Sequence, residues 1–459
     1  MWPFSNISSA WHRLRIRKLY NSSRWEEARI HSLPLLSCEI NGEFAQNIVI
    51  RSLWNLHRYE ETIDFALQYP SENTRRFSEK SKQRMGLGVD SLPSIHQTTE
   101  WNGEELLANW FQEGVTVWLR HPWGWSHWVM PKGYVLSNTH PSLLALAMDV
   151  LLKPWLPEIG EIVTEKRNFG EELALSYSGG TDSAAAGILL PDDTILSYHE
   201  RNFPSMLSHE LPRRLFERLR KKNGREVLCI PSNHERIRTF HGKPNGFSTD
   251  YAAGVHLILL ADHLNLKGIA FGTPIDNTWL EKGRRFRDFS ESWHWKHWRE
   301  KFAHTGLHLE LPINHISEAG ALRICQQSNL ANDINSCLRS IDGRGCQKCW
   351  KCFHKNGPLG RPMNPESVEI QKFLKTRPLR TAQHALWAIQ VQNLEKMVPH
   401  LSAELANPLD WWELAYSPGI DLISEPWRAT VKERTEQMIA YMESPELLQE
   451  VDLFPDSWK

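Results

Sequence analysis

The sequence predicts an α/β fold, a parallel sheet with helices on both faces, flanked by mostly helical N- and C-terminal regions. Three observations carry this reading. From about residue 165, short β-rich runs alternate with helical runs, the pattern of parallel strands joined by crossover helices. Between the first such strand and the first such helix stands a Gly-rich turn, Ser178-Gly-Gly-Thr-Asp-Ser183. Before residue 73 and after residue 360 the apolar residues instead recur at helical spacing.

Residues 1–72 read as helical. Arg24-Trp-Glu-Glu-Ala28 recurs 34 residues later as Arg58-Tyr-Glu-Glu-Thr62, with an apolar-periodic helix over 44–56 between them. That period resembles the tetratricopeptide repeat. Two repeats are fewer than such arrays need to stand alone, so these hairpins are expected to pack on the rest of the chain, as support or as a peptide-binding groove. Residues 73–98 are polar with scattered Gly and Pro and read as a linker. Residues 99–160 read as a small mixed α/β segment. Asn102 is placed to cap a short helix through Phe111. Strands are expected over 115–119 and 127–130, with Pro122-Trp-Gly124 turning between them. Pro141 opens a helix to about residue 152.

The segment 165–358 carries the parallel sheet. Strands are expected over 173–177, 194–199, 225–230 and 268–271. Helices follow over 211–222, stopped by Gly224, and over 251–264. Ligands of such sheets sit outside the carboxyl ends of the strands, which gathers residues 178–183, 199–202, 231–233 and 272–277 around one crevice. After Gly360 helices are expected over 365–374, 380–397 and 427–442. This region, 360–459, is read as a helical C-terminal region without a catalytic constellation, one that could form a scaffold with the N-terminal helices.

Composition bounds the function classes. The 459 residues contain 41% hydrophobic and 23% charged side chains, ordinary for a globular chain. A formal net charge of −1 gives no global field for nucleic acid, although a local basic patch stays open. The apolar run over 143–152 is interrupted by Asp149 and is far too short to span a membrane. No basic segment followed by an apolar core marks the N-terminus as a signal peptide. Seven cysteines, four of them within residues 337–352, suit a reducing, cytoplasmic compartment and a metal better than disulfides. The 21 tryptophans read as packing.

In the turn 178–183 two glycines let the backbone bend sharply and approach a ligand. Unpaired N–H groups and the helix dipole favour an anion there, and Ser178, Thr181 and Ser183 add hydroxyls. Asp182 is out of place in an anion site unless it holds Mg²⁺ together with substrate phosphates. No Gly-Lys-Ser/Thr follows, so this is not a Walker loop. The strand–Ser-Gly-Gly-Xaa-Asp-Ser–helix pattern resembles the PP-loop of ATP pyrophosphatases, which cleave ATP to AMP and pyrophosphate. The resemblance implies ATP and Mg²⁺ as cofactors, and Ser178, Gly179, Gly180, Thr181, Asp182 and Ser183 as their site. Asp182, Ser178 and Ser183 are the candidate catalytic groups. Ser197, His199 and Arg201 would border the adenosine.

Cys337-x8-Cys346-x2-Cys349-x2-Cys352 has the spacing of a four-thiolate Zn²⁺ site. A redox role, an iron–sulfur cluster and unliganded cysteines are the other readings. His354 is a possible substitute ligand or a solvent-facing histidine, and Cys38, Cys229 and Cys325 read as small buried residues. Over about 165–355 the chain resembles 7-cyano-7-deazaguanine synthase, through the turn, Ser197-Tyr-His-Glu-Arg-Asn202, Leu311-Pro-Ile-Asn-His-Ile-Ser-Glu-Ala319 and Ser336-Cys337 before the cysteine knuckle. The resemblance implies a doubly wound domain, structural zinc near the active site, and adenylation of a carboxylate that then meets ammonia. Relatives with extra domains are associated, as a class, with bacterial anti-phage systems.

The family's substrate-pocket signature is absent; Gly246-Phe-Ser-Thr-Asp-Tyr251 stands in its place. The loop Gly272-Thr-Pro-Ile-Asp-Asn277 runs into a basic, aromatic insert, Lys282-Gly-Arg-Arg-Phe-Arg-Asp-Phe289, followed by Trp293, Trp295 and Trp298. Asp250, Thr273, Asp276, Arg284 and Arg285 are therefore the candidate substrate residues. The tryptophans read equally as one face of a packed helix, with Arg287 and Arg299 on its wet side. The expected activity is an ATP-dependent ligase (C–N ligase class) acting on a small-molecule carboxylate or carbonyl compound. The alternatives are a tRNA-modifying ATP pyrophosphatase and a nucleotide-sensing adaptor whose helical flanks bind a protein partner.

Overall fold

The computed structural model of the chain describes residues 4–22, 24–38, 41–56, 58–86, 100–203, 207–340 and 343–454. The N-terminal helices are α1 (Phe4–Asn21), α2 (Trp25–Ser32), α3 (Gly42–Asn55), α4 (Tyr59–Gln68) and α5 (Glu72–Gly86). The repeated Arg-aromatic-Glu-Glu opens α2 and α4. Arg24 pairs with Glu27 and Arg58 with Glu61, one helical turn on. Arg58 also reaches Glu26 at 3.1 Å, tying one hairpin to the next. Helix α5 occupies the first half of the expected linker. Ser71 and Thr74 cap one another, each backbone N–H donating to the other's hydroxyl at 2.8 and 3.1 Å, and Phe77 lies edge-on to Trp54. Polar composition concealed a helix that one aromatic anchors. The rest of that linker, 87–98, lies outside the described residues.

Asn102 caps a turn, accepting from the N–H groups of Glu104 and Glu105. No helix runs on through Phe111, which lies in a strand. Strands β1 (Trp110–Glu113), β2 (Thr116–His121) and β3 (Gly124–Val129) form an antiparallel meander, and helix α6 (Pro141–Leu152) follows. Every residue of α6 from Ser142 onward is buried, which explains its unbroken apolar run.

The remaining elements are β4 (Glu172–Ser176), α7 (Thr181–Leu189), β5 (Ile195–Arg201), α8 (Glu210–Asn223), β6 (Val227–Ser232), α9 (Val255–Leu259), β7 (Leu266–Phe271), the small hairpin β8 (Leu280–Glu281) and β9 (Arg285–Phe286), α10 (Trp293–His304), β10 (His308–Glu310), α11 (Glu318–Gln327), α12 (Val368–Lys375), α13 (Ala382–Val391), α14 (Glu425–Met438) and α15 (Glu446–Gln449). Helix α9 is shorter than the expected 251–264, because its first turn, Asp250–Gly254, is a tight 3₁₀ turn pressed on the sheet. A Cβ at Gly254 would lie 2.7 Å from the Phe271 ring.

The sheet is mixed rather than parallel throughout. Its order is β1-β2-β3-β6-β5-β4-β7-β10. The five strands from β6 to β10 are parallel, and the meander joins antiparallel where Trp128 faces Ser232. Alternate residues of β4 feed two cores. Ala174 joins the apolar cluster with α6, α9 and α10; Leu173 and Leu175 join the one with α7, α8, α11 and α14. Helices thus cover both faces.

The C-terminal region belongs to these cores and not to an N-terminal scaffold. Trp427 of α14 packs against Gly268 of β7, and Arg434 donates to the carbonyls of Ile188 and Leu190 at the end of α7. The apolar clusters of the N-terminal helices draw only on residues 16–77.

Candidate functional site

The turn after β4 folds as its composition requires. Gly179 takes a φ of 74°, and Gly180 is the extended residue that opens α7. The hydroxyls of Ser178 and Ser183 lie 3.0 Å apart, and the Ser178 N–H donates to Ser183 Oγ at 3.2 Å. Thr181 turns away: its N–H donates to Ser336 Oγ at 3.0 Å and its side chain is fully buried. Gly272, after β7, lets the neighbouring loop press on α7; a Cβ there would lie 2.8 Å from Ser183 Cα.

Beyond the turn lies a cavity of about 430 Å³ at the carboxyl ends of β4, β5 and β7. Ser178, Gly180, Asp182 and Ser183 form one wall, with His199, Arg201, Asp250 and Thr273 around them. Gly179 and Thr181 shape the turn without lining the cavity. Four expected residues lie elsewhere. Ser197 is buried and donates to the Leu228 carbonyl at 3.0 Å; it shares a face of β5 with His199 and Arg201 but lies deeper in the sheet, back from the carboxyl end that borders the cavity. Asp276 is wholly buried and accepts the Glu318 N–H at 2.8 Å, holding the start of α11. Arg284 is buried and donates to the carbonyls of Leu379 and Pro378. Arg285 pairs with Asp452 at 3.2 Å. The basic insert is therefore a brace for the C-terminal segment. Trp295 and Trp298 are buried on α10 while Trp293 is exposed.

The residue that sequence reasoning missed is Lys355. Its ammonium lies 2.7 Å from Asp182 Oδ1 and 2.7 Å from Glu318 Oε2. The Asp182 side chain is 30% exposed and Glu318 only 9%, so Asp182 is the member that faces the cavity. Burial opposes the charge on Lys355, but the two carboxylates outweigh it and hold the amine above its usual range. Burial likewise opposes ionisation of Glu318, yet Lys355 and then His384 hold that carboxyl at about 2. At Asp182 burial wins: its carboxyl is pushed up, against the pull of Lys355 and helped by the Glu318 charge. Lys355 is shared between the two carboxylates, and Lys351, whose amine is lowered by burial against the pull of Asp182, lines the same cavity.

The opposite wall is neutralised within itself. Arg201 Nε donates to Glu235 Oε1 at 3.0 Å, and His199 Nε2 lies 3.0 Å from the same oxygen. Burial opposes the Glu235 charge, but His199 and Arg201 outweigh it and keep the carboxyl well below its ordinary value. No local sequence pattern marks Glu235. Tyr198, Phe247 and Trp350 add aromatic surface.

Cys337, Cys346, Cys349 and Cys352 are all buried, and their sulfurs fall within 4.8 Å of one another. Cys337 to Cys349 is 3.8 Å, Cys346 to Cys352 is 3.9 Å and Cys349 to Cys352 is 3.6 Å. Disulfides are excluded at these lengths. Four sulfurs bound tetrahedrally at about 2.3 Å would lie about 3.8 Å apart, so the cluster fits a metal such as zinc. His354 is not a ligand of this cluster and does not face solvent. It is fully buried, with its ring 5.0 Å from that of His384. Cys38 and Cys229 are half-buried, and only Cys325 of the isolated cysteines is buried. Cys352 and Lys355 share one π-helical turn, Cys352–Asn356, so the cysteine centre and the charged wall are a single local structure. The signal for Lys355 was its place just behind the last cysteine.

Comparison with known proteins adds one match. Residues 297–452, about a third of the chain, match a family of unknown function (DUF6395). That stretch carries Glu318, the cysteine centre and Lys355 but stops short of the turn at 178–183. No curated protein and no solved structure matches the chain.

Proposed function

We propose that the chain is an ATP pyrophosphatase that adenylates a carboxylate or carbonyl-bearing small molecule for attack by ammonia or an amine. One observation carries the reading: Asp182, a part-exposed carboxylate paired with Lys355, stands on the cavity wall at the N-terminus of α7. That helix end favours an anion and the carboxylate a cation, a combination suited to a phosphate chain bound with Mg²⁺. The Ser-Gly-Gly-Xaa-Asp-Ser turn and its place at the carboxyl ends of parallel strands support the same reading.

In this mechanism the phosphates of ATP lie across residues 178–183. The hydroxyls of Ser178 and Ser183 and the N–H groups at the start of α7 stabilise charge that develops on the pyrophosphate. Asp182 would hold Mg²⁺, which supplies further neutralisation of that charge. Lys355 borders the same wall and offers its ammonium to the departing oxygens. His199, Tyr198 and Phe247 give the adenosine an aromatic border. An acceptor oxygen attacks the α-phosphorus, the bond from that phosphorus to the α,β-bridging oxygen breaks, and pyrophosphate leaves. The amine then attacks the activated carbon, AMP leaves with the C–O electron pair, and the amine proton passes to water. The four cysteines would hold Zn²⁺ as a structural ion that fixes the turn bearing Lys355.

The test is pyrophosphate release by the full chain from Mg-ATP with a panel of carboxylates, including 7-deazaguanine-like ones. Stimulated release that Asp182→Ala abolishes is expected. Absence of ATP binding and of pyrophosphate, or equal turnover by Asp182→Ala, would reject the reading.

A further inference from the structure

Beside Lys355, at the edge of the cavity, lies a second group of potential ligands. Glu318 begins α11, His354 sits in the π-helical turn, and His384 is on α13. The chain separates them by up to 66 residues, but one donor atom from each falls within 4.8 Å of the others. His384 Nε2 lies 3.6 Å from Glu318 Oε2. Both histidines are fully buried and Glu318 nearly so.

The hydrogen bonding of this group is incomplete. Neither ring nitrogen of His354 has a partner among the described residues, nor has Nδ1 of His384. The His354 ring is walled by Phe353, Phe373 and Trp350, which offer no acceptor to its faces. Buried imidazole nitrogens are normally satisfied, so two histidines converging on a carboxylate with free nitrogens call for an explanation.

We propose that Glu318, His354 and His384 form a second metal site, of nitrogen–oxygen type, for a first-row divalent cation such as Zn²⁺. Two imidazoles and a carboxylate suit Zn²⁺ and its neighbours in the series, whereas Mg²⁺ and Ca²⁺ prefer oxygen alone. Ligands at about 2.1 Å in tetrahedral array lie about 3.4 Å apart, so donors that all fall within 4.8 Å of one another need to close by about 1.4 Å at most. The surroundings match those of bound metals. The Lys355 ammonium lies 2.7 Å from Glu318 Oε2, as second-sphere cations do beside ligating carboxylates. His384 Nε2 donates to the His354 carbonyl at 3.0 Å. Coordination through Nδ1 keeps that bond; coordination through Nε2 exchanges it for one to the ion. Glu318 and Lys355 border the cavity, which supplies the entry path. An ion here ties α11, α13 and the π-helical turn together and fixes the carboxylate that Lys355 shares with Asp182. Its thiolate neighbour, Cys352, belongs to the other centre, so the two sites differ in ligand chemistry.

The test needs no nucleotide and stands apart from the ATP reading. The full chain, without a histidine tag, is loaded with Co²⁺ and with Zn²⁺ under reducing conditions, and bound metal is counted by mass spectrometry and followed by absorption. The wild type should take about two equivalents. The first should bring intense thiolate charge-transfer bands in the near ultraviolet, and the second only weak visible bands. His384→Gln and His354→Gln should each retain the thiolate bands and lose the second equivalent, while Cys349→Ser should lose the thiolate bands. A single equivalent in the wild type under excess metal overturns the proposal. So does a second equivalent that adds thiolate intensity, or that survives in both histidine variants. Should a variant fail to fold, the wild-type titration still decides between one site and two.

Discussion

At Lys355 the charge arithmetic of the candidate site is set by a single side chain. It is buried, and both of its carboxylate partners lie at 2.7 Å. Lys355→Met would leave Asp182 and Glu318 without the ammonium that lies 2.7 Å from each. Breaking a buried pair costs roughly 3 kcal/mol, so the urea midpoint should fall, and nucleotide-dependent pyrophosphate release should be lost. Asp182→Asn instead removes a carboxylate whose charge burial disfavours. It should abolish the release while leaving stability unchanged or raised, which separates folding from chemistry in the same assay. A second residue gives a pH signature. Glu310, at the end of β10, accepts the Ser424 N–H at 3.1 Å, and burial raises its carboxyl from 4.5 to about 7. Arg299, Arg428 and Ser424 are the groups that pull it back. The folded state holds this proton more tightly than the unfolded state, so its stabilising effect is complete below about pH 4.5 and is lost as pH rises through about 7. Glu310→Gln should therefore match the wild type near pH 4.5 and exceed it above pH 8 by about 3 kcal/mol. Urea midpoints across that range give the comparison, and parallel curves for the two proteins would contradict it.

Among elements, the π-helical turn Cys352–Asn356 joins the cysteine centre to the cavity wall. Stripping metal with a chelator, or replacing Cys349 with Ser, should free this turn. The expected readouts are protease cleavage between 337 and 360, a changed Trp350 fluorescence and weaker nucleotide binding. Unchanged binding after metal loss would break the link drawn between the two. The loop after β7 offers an independent probe. Gly272→Ala would push against Ser183, and overpacking of this kind costs about 1–3 kcal/mol; nucleotide affinity should drop with it. The β4–turn–α7 unit was legible in the sequence because its signals are local: an apolar strand, two glycines and a helix start. Helix α5 was not, since its capping pair is polar and its anchor, Phe77, meets a tryptophan from another helix. The fates of Arg284 and Arg285 were likewise illegible, because they depend on carbonyls near residue 378 and on Asp452. Basic, aromatic composition fits a brace as well as it fits a binding loop.

For the molecule as a whole, strands far apart in the chain complete one sheet. The pairing of Trp128 with Ser232 brings in the meander, and α14 closes over α7 and β7. Neither contact has a local signature, which is why the sequence suggested separate flanking pieces. The five N-terminal helices differ. Their apolar clusters are their own, and Arg236 to Tyr59 is a polar contact from the α/β body to them. A chain beginning at residue 100 should therefore retain the cysteine-bound metal and the cooperative unfolding of the α/β body, as metal content and circular dichroism would report. Loss of both would show that the helices complete the core. The central claim, that the turn at 178–183 directs cleavage between the α- and β-phosphates, is tested most directly by identifying the nucleotide product. The full chain is incubated with Mg-ATP and an acceptor that stimulates turnover, and its products are separated by chromatography. AMP and pyrophosphate in equal amounts, absent with Asp182→Asn, are expected; ADP and phosphate, or identical products from the variant, would contradict the account.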